Sequence, residues 1–175
     1  SRVRLIFNGA EPISVALCER FLTAMRPFGL KPTTMFPVYG LAEASLAVTF
    51  PPPGREYRTV SVDRRSLAVG SAFREAQAGS REGLTLIQLG TAVSGCAVRI
   101  TDDADLPLAD GVIGHIHIRG ANVTAGYYGG AHREMFTADG WFRTGDLGFQ
   151  LDGELVVTGR HKELIFSNGE NCYPH

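Results

Sequence analysis

The stretch Arg4-Leu5-Ile6-Phe7-Asn8-Gly9-Ala10-Glu11-Pro12 decides how the chain begins to fold. Leu5-Ile6-Phe7 is a short apolar run of the kind that forms a buried strand, and the small and polar residues after it break the run. Beyond the break, Ile13, Val15-Ala16-Leu17, Phe21-Leu22 and Met25 recur at helical spacing. Pro12 is expected near the first helical turn, where its missing N–H has no partner to lose. Phe28-Gly29 closes the helix, and Thr33-Thr34-Met35-Phe36-Pro37-Val38-Tyr39 reads as a second strand. Strand, loop, helix and strand in this order predict a layered α/β unit, in which ligands gather at the carboxyl ends of the strands.

Past Ala47-Val48-Thr49-Phe50 the texture changes. Pro51-Pro52-Pro53-Gly54 makes a rigid break, and helical periodicity fades. Short strands are expected at residues 59–62, 97–100, 114–119, 155–158 and 164–166. Turns such as Ala109-Asp110-Gly111, Ala138-Asp139-Gly140 and Leu151-Asp152-Gly153 punctuate them. The fold class is therefore α/β: the end of a layered α/β subdomain over residues 1–53, then a small antiparallel β-barrel subdomain over residues 54–158. Residues 73–82 are polar and lack clear periodicity, and read as a surface insertion within the β region.

Composition narrows the function. With 44% hydrophobic and 20% charged residues the chain is globular, and a formal net charge of −1 offers no footprint for nucleic acid. Cys18, Cys96 and Cys172 are three in number and widely spread, which suits a reduced, cytoplasmic setting better than a disulfide framework. Apolar runs fall far short of the ~20 residues that span a bilayer, so no stable membrane insertion is expected. The chain lacks an initiator methionine and stops at Tyr173-Pro174-His175, and so reads as a piece of a larger protein.

Five segments combine glycine with polar residues at strand ends. Asn8-Gly9-Ala10-Glu11 lets a flat or anionic ligand approach the backbone, or is a plain turn. Tyr39-Gly40-Leu41-Ala42-Glu43 places a ring able to stack on a base four residues from a carboxylate able to hold a divalent cation. The bland alternative is a core tyrosine and a first-turn glutamate. In Gly114-His115-Ile116-His117-Ile118-Arg119-Gly120, continuing to Ala125-Gly126-Tyr127-Tyr128, two histidines share a strand face. No third ligand stands at metal spacing, so solvent-facing histidines are expected. Trp141-Phe142-Arg143-Thr144-Gly145-Asp146-Leu147-Gly148 puts an aspartate on a glycine-bounded loop, where it can accept both hydroxyls of a ribose or serve an ordinary turn. Thr158-Gly159-Arg160-His161-Lys162 offers a guanidinium for phosphate or ribose, or a solvated charged turn.

YGLAE, GHIHIRG…AGYYGG, FRTGDLG and GRHKELI, in this order and at these intervals, resemble the successive core motifs of the adenylate-forming superfamily of acyl-CoA synthetases, luciferases, peptide-synthetase adenylation domains and fatty acyl-AMP ligases. The resemblance implies ATP and Mg2+ as cofactors. It implies that Tyr39, with Gly40 and Leu41, lies against the adenine, and that Gly9, Ala10 and Glu11 line the same pocket. Glu43 is implied to be catalytic and to position the metal beside the phosphates. Asp146 would bind the ribose hydroxyls, and Arg160 ribose or phosphate. Lys162 would fall at the hinge to a C-terminal lid, placing residues 159–175 at the start of that domain. The superfamily's phosphate loop would precede Ser1 and its lid lysine would follow His175, so the isolated piece is expected to be inactive.

YGLAEAS followed by LAVTF, with NGAEPIS and NGENCYPH at the two ends, resembles most the fatty acyl-AMP ligases and the acyl-activating domains of polyketide and peptide synthases. Here Ala42 stands where many superfamily members have threonine. This branch implies a fatty or related carboxylic acid as substrate and the phosphopantetheine thiol of an acyl carrier protein as acceptor. Three alternatives remain open: a ligase using CoA, an amino-acid-activating domain, and a degenerate, non-catalytic interaction module.

Overall fold

A computed structural model describes residues 2–77, 79–129, 133–161, 165–167 and 170–172. Strands β1 (Ile6–Asn8) and β2 (Met35–Pro37) pair in parallel, with Phe7 opposite Phe36 and Asn8 opposite Pro37. Parallel neighbours need a crossover, and helix α1 (Val15–Met25) supplies it. The helix begins one residue beyond Ser14, whose side chain accepts from the Leu17 N–H at 3.3 Å. Pro12 therefore stands outside the helix, before the cap, and not in the first turn as the sequence suggested; the Ser14 hydroxyl supplies the start signal. At the other end Gly29 adopts φ 74° and its N–H returns to the Arg26 carbonyl, the left-handed stop that glycine takes without strain. Phe7, Phe36 and Phe50 meet with ring centroids 5.2 to 5.8 Å apart beside this pair of strands.

The remainder is antiparallel β structure. Strands β3 (Thr49–Phe50), β4 (Thr59–Asp63), β5 (Gly83–Ile87), β6 (Thr91–Ala92), β7 (Cys96–Thr101), β8 (Gly114–Gly120), β9 (Phe142–Leu151) and β10 (Glu154–Arg160) are followed by the pair β11 (Ile165–Ser167) and β12 (Glu170–Cys172). Four form a sheet in the order β10-β9-β8-β7, while β4 pairs with β5 and β3 with β6. A ladder of Leu89 N–H to the Leu155 carbonyl and Leu155 N–H to the Gly90 carbonyl, both 2.8 Å, ties the chain after β5 to β10. The β9–β10 connection is Asp152-Gly153, with φ 53° and 75°, the positive-φ pair that matches the twist of a tight hairpin.

Two apolar clusters follow from strand alternation. In one, Tyr39, Ala44 and Val48 pack with Ile87, Leu89, Ile100, Ile116, Ile118, Phe142 and Leu155, so the α/β segment and the β sheet share a core. In the other, Val60, Val62, Leu67, Ile113, Phe149 and Val156 fill the space between β4 and the sheet. Residues 73–82 are only partly a surface insertion. Glu75 bridges to Val62, and the Phe73 ring stacks on Phe149 at 4.7 Å, because a single aromatic side chain anchors an otherwise polar segment.

Two further differences from the sequence reading bear on function. Strand β9 is the longest of the molecule's described strands and carries Thr144-Gly145-Asp146, so Asp146 lies in a sheet and not on a free loop. His117 is 2% exposed, contrary to the expected solvent-facing pair. It lies next to a register shift in β8: His115 faces Leu147 whereas His117 faces Arg143. Among the described residues no helix is long and apolar enough to cross a membrane.

Candidate nucleotide site

The segment carrying Tyr39 and Glu43 is wound into a tight loop between β2 and β3. Tyr39 N–H donates to the Thr49 carbonyl, and the Tyr39 carbonyl accepts from Val48 and Thr49. Inside this closed loop Ala42–Ala44 forms one 3-10 turn, and Ser45 and Leu46 take φ 50° and 91°. The loop closes only over a glycine: a Cβ on Gly40 would stand 1.6 Å from the Leu46 carbonyl oxygen. Gly9 is similarly crowded, 2.8 Å from the Val38 carbonyl oxygen, which holds the end of β1 against the residue before Tyr39. Ala10 follows at φ 71° and Glu11 is exposed.

Asp146 reaches this loop by way of an irregular strand. Ile116 on β8 stands opposite the whole Thr144-Gly145-Asp146 stretch, since its neighbours pair with Leu147 and Arg143. The Thr144 hydroxyl donates to the Ile116 carbonyl at 2.8 Å and accepts the Asp146 N–H at 3.1 Å. Such a bulge re-aims a side chain without ending the sheet. One Asp146 oxygen accepts the Tyr39 hydroxyl at 2.6 Å, and the other accepts Arg160 Nε at 3.1 Å. Arg160 comes from the opposite strand of the hairpin, where it is paired with Asp146.

Burial separates these groups. Tyr39 and Asp146 are 8% and 7% exposed, while the Arg160 side chain is 63% exposed. Desolvation first, and then the adjacent carboxylate, push the Tyr39 phenol far above its ordinary range, so it remains a hydrogen-bond donor at all physiological pH. The site thus joins a buried phenol, a buried carboxylate and an exposed guanidinium from segments that lie far apart in the sequence.

Glu43 is held from a different quarter. Its carboxylate accepts the Tyr127 hydroxyl, and its backbone carbonyl accepts the Thr124 N–H at 2.7 Å. Asn122 Nδ2 donates to the Ala44 and Ala47 carbonyls at 3.1 and 2.8 Å, and Ser45 Oγ donates to the Asn122 carbonyl at 3.0 Å. Among the described residues no three His, Cys, Asp or Glu side chains group as a metal site. A lone carboxylate suits Mg2+ in the form proteins usually bind it beside nucleotides, where phosphates and water supply most of the ligands.

The structure brings together Tyr39, Gly40, Leu41, Glu43, Asp146 and Arg160 around one loop and one hairpin, with Gly9 packed behind Val38. Lys162 lies outside the described residues. Sequence reasoning missed Thr144, Asn122 and Tyr127; only the hydroxyl-rich and glycine-rich character of their segments marked them. His115 Nε2 donates to Asp103 at 2.8 Å, and His117 stands against Thr101 and 3.8 Å from Asp105, so the two serve separate local contacts.

Residues 1–128 match the AMP-binding enzyme family, and the chain belongs to that family. It is 37% identical over 194 residues to a long-chain-fatty-acid–AMP ligase, FadD32, of Mycolicibacterium smegmatis, covering 99% of this chain and 31% of that protein. It is 40% identical over 186 residues to a 4-hydroxyphenylalkanoate adenylyltransferase of Mycobacterium tuberculosis, covering 98% and 30%. A structure from work on fatty acyl-adenylate ligases of E. coli and L. pneumophila superposes with a TM-score of 0.89 at 37% identity, covering 98% of this chain and 31% of that one. The adenylation domain of a keto acid-selecting NRPS module, bound to a keto acyl adenylate, gives a TM-score of 0.84 at 33% identity over 97% of this chain and 32% of that one. The chain spans about a third of the length of these relatives.

Proposed function

We propose that the protein to which this chain contributes forms an acyl-AMP from ATP, Mg2+ and a fatty or related carboxylic acid, and passes the acyl group to the phosphopantetheine thiol of a carrier protein. The observation that carries the reading is the convergence of Tyr39 and Arg160 on the two oxygens of Asp146. A carboxylate so oriented, with a phenol behind it and an exposed cation beside it, has the geometry to accept the vicinal hydroxyls of a ribose. In that role Asp146 exchanges its bond to the exposed Arg160 for one to the sugar, and Arg160 becomes available to the ribose or the α-phosphate. Gly9, Ala10, Glu11, Gly40 and Leu41 form the backbone wall against which the base lies, with Tyr39 beneath it.

Glu43 serves the phosphate end, where Mg2+ when bound neutralises charge on ATP. The reaction needs position and charge more than a covalent nucleophile. An oxygen of the substrate carboxylate forms a bond to the α-phosphorus as the bond to pyrophosphate breaks. In the second half-reaction a thiol sulfur attacks the acyl carbonyl and AMP leaves. Lys162 would act at the hinge between these two stages, and the partition into residues 1–53, 54–158 and 159–175 belongs to the same reading.

The names of the relatives, an AMP ligase and an adenylyltransferase, support an acyl-AMP product. The test is ATP–pyrophosphate exchange by the full-length protein with laurate, with an amino acid and with no acid. Exchange restricted to the fatty acid, followed by acyl transfer to a carrier protein and not to CoA, is the expected result. Exchange only with the amino acid, or acylation of CoA alone, would overturn it.

A further inference from the structure

Glu43 belongs to a loop that packs on the core only through Ala44 and Leu41. Its neighbours Ala42, Ser45 and Leu46 are exposed, and Leu46 reaches 74%. A carboxylate on such a loop would sample many rotamers, yet residues 122–127 grip it at several points. Asn122 holds the carbonyls on either side of Ser45 and Leu46, Thr124 N–H holds the Glu43 carbonyl, and the Tyr127 hydroxyl holds the carboxylate itself. The Thr124 hydroxyl in turn accepts the Gly126 N–H at 3.2 Å and donates to the Gly126 carbonyl at 3.0 Å, which folds the segment back toward the loop.

We infer that Tyr127 is a positioning residue: its hydroxyl orients the Glu43 carboxylate toward the metal–phosphate end of the nucleotide, with Asn122 and Thr124 fixing the backbone from which that carboxylate extends. This rests on the reading of Glu43 given above. A carboxylate has two oxygens, and a phenolic donor on one leaves the other aimed and available to a cation. Groups that orient a metal-binding carboxylate are commonly worth 10- to 100-fold in metal affinity. Tyr127 is 52% exposed, so the ring is not a core residue and its hydroxyl is removable with little effect on the fold. The adjacent Tyr128, fully exposed, supplies an internal control.

The experiment uses Tyr127→Phe, Tyr128→Phe, Glu43→Gln and the Tyr127→Phe/Glu43→Gln pair in the full-length protein. Mn2+ binding in the presence of a non-hydrolysable ATP analogue is read by electron paramagnetic resonance, and AMP binding without metal by calorimetry. Tyr127→Phe is expected to weaken Mn2+ about tenfold, leave AMP affinity unchanged, and add nothing once Glu43 is Gln. Tyr128→Phe is expected to match the parent. Equal losses from Tyr127→Phe in both backgrounds, or a matching loss of AMP affinity, would show a merely structural tyrosine and overturn the inference. An unchanged Mn2+ affinity in Glu43→Gln would instead overturn the role of Glu43 and the inference with it.

Discussion

The Tyr39–Asp146 end of the site and the Glu43–Tyr127 end are built from different materials. The first is core: phenol and carboxylate are both nearly inaccessible, and Tyr39 packs with Ile116, Ile118 and Phe142. The second lies nearer the surface: an exposed tyrosine meets a half-buried glutamate on a loop whose Ala42, Ser45 and Leu46 are exposed. Stability and binding should therefore be inseparable at the first and separable at the second. A carboxylate proposed to take a ribose must be held before ligand arrives, since a buried carboxylate without hydrogen-bond partners is expensive. A group that meets a hydrated cation gains by remaining near solvent.

The hardest test of this contrast is Gly40→Ala. The added methyl would collide with the Leu46 carbonyl at 1.6 Å, so the loop shared by both ends must open. A destabilisation of about 3 kcal/mol in urea unfolding is expected, with loss of nucleotide binding. Next in size is Asp146→Ala. The Tyr39 hydroxyl then loses its carboxylate acceptor in a buried place, at about 1–3 kcal/mol, and AMP binding is expected to fall with it. The exposed Arg160 adds little to that figure. A drop in binding with no change in unfolding would break the claim that the two are joined at this end.

Acid probes the core of the sheet by another route. His117 is held neutral beneath β9, its imidazole pulled from the ordinary 6.5 down to about 4, first by burial. Asp105 opposes that fall, while Arg99, Arg143 and His115 reinforce it; Thr101 also faces the ring. Because the unfolded chain takes up this proton first, His117's contribution is present above pH 6.5 and is lost progressively as pH falls toward 4. The melting temperature should drop over that window, and His117→Gln should flatten the drop. The smallest effect on the fold is expected from Glu43→Gln, within about 0.5 kcal/mol, despite a loss of pyrophosphate exchange. Unfolding as severe as that of Asp146→Ala would erase the distinction between the two ends.

Much of this architecture was legible from residue types. The apolar run before Asn8-Gly9, the helical spacing from Ile13 to Met25 and the glycine turns at Gly29, Gly111, Gly140 and Gly153 all carry local physics that sequence displays. Strand β9 was not legible, because Thr144-Gly145-Asp146-Leu147-Gly148 has the composition of a turn. It is extended because β8 and β10 pair with it on both sides, and because Gly148 admits the Val156 carbonyl where a Cβ would come within 2.3 Å. The burial of His117 depended on the same register shift. Motif order singled out Tyr39, Glu43, Asp146 and Arg160 as candidates, but the hydroxyl of Tyr127 on Glu43 joins residues 84 positions apart with no periodicity to announce it.

The two bonds of Asp146 differ greatly in the loop each must close. Arg160 is 14 residues away across a tight hairpin, whereas Tyr39 is 107 residues upstream. Closing a short loop sacrifices less chain entropy than closing a long one, and local pairings form sooner. As the polypeptide leaves the ribosome, the β9–β10 hairpin can join carboxylate to guanidinium as soon as both are outside. The phenol must wait for the sheet to dock on the earlier loop. The Tyr39–Asp146 bond is then a late event in assembly, a seal that closes when the two halves of the chain have found each other.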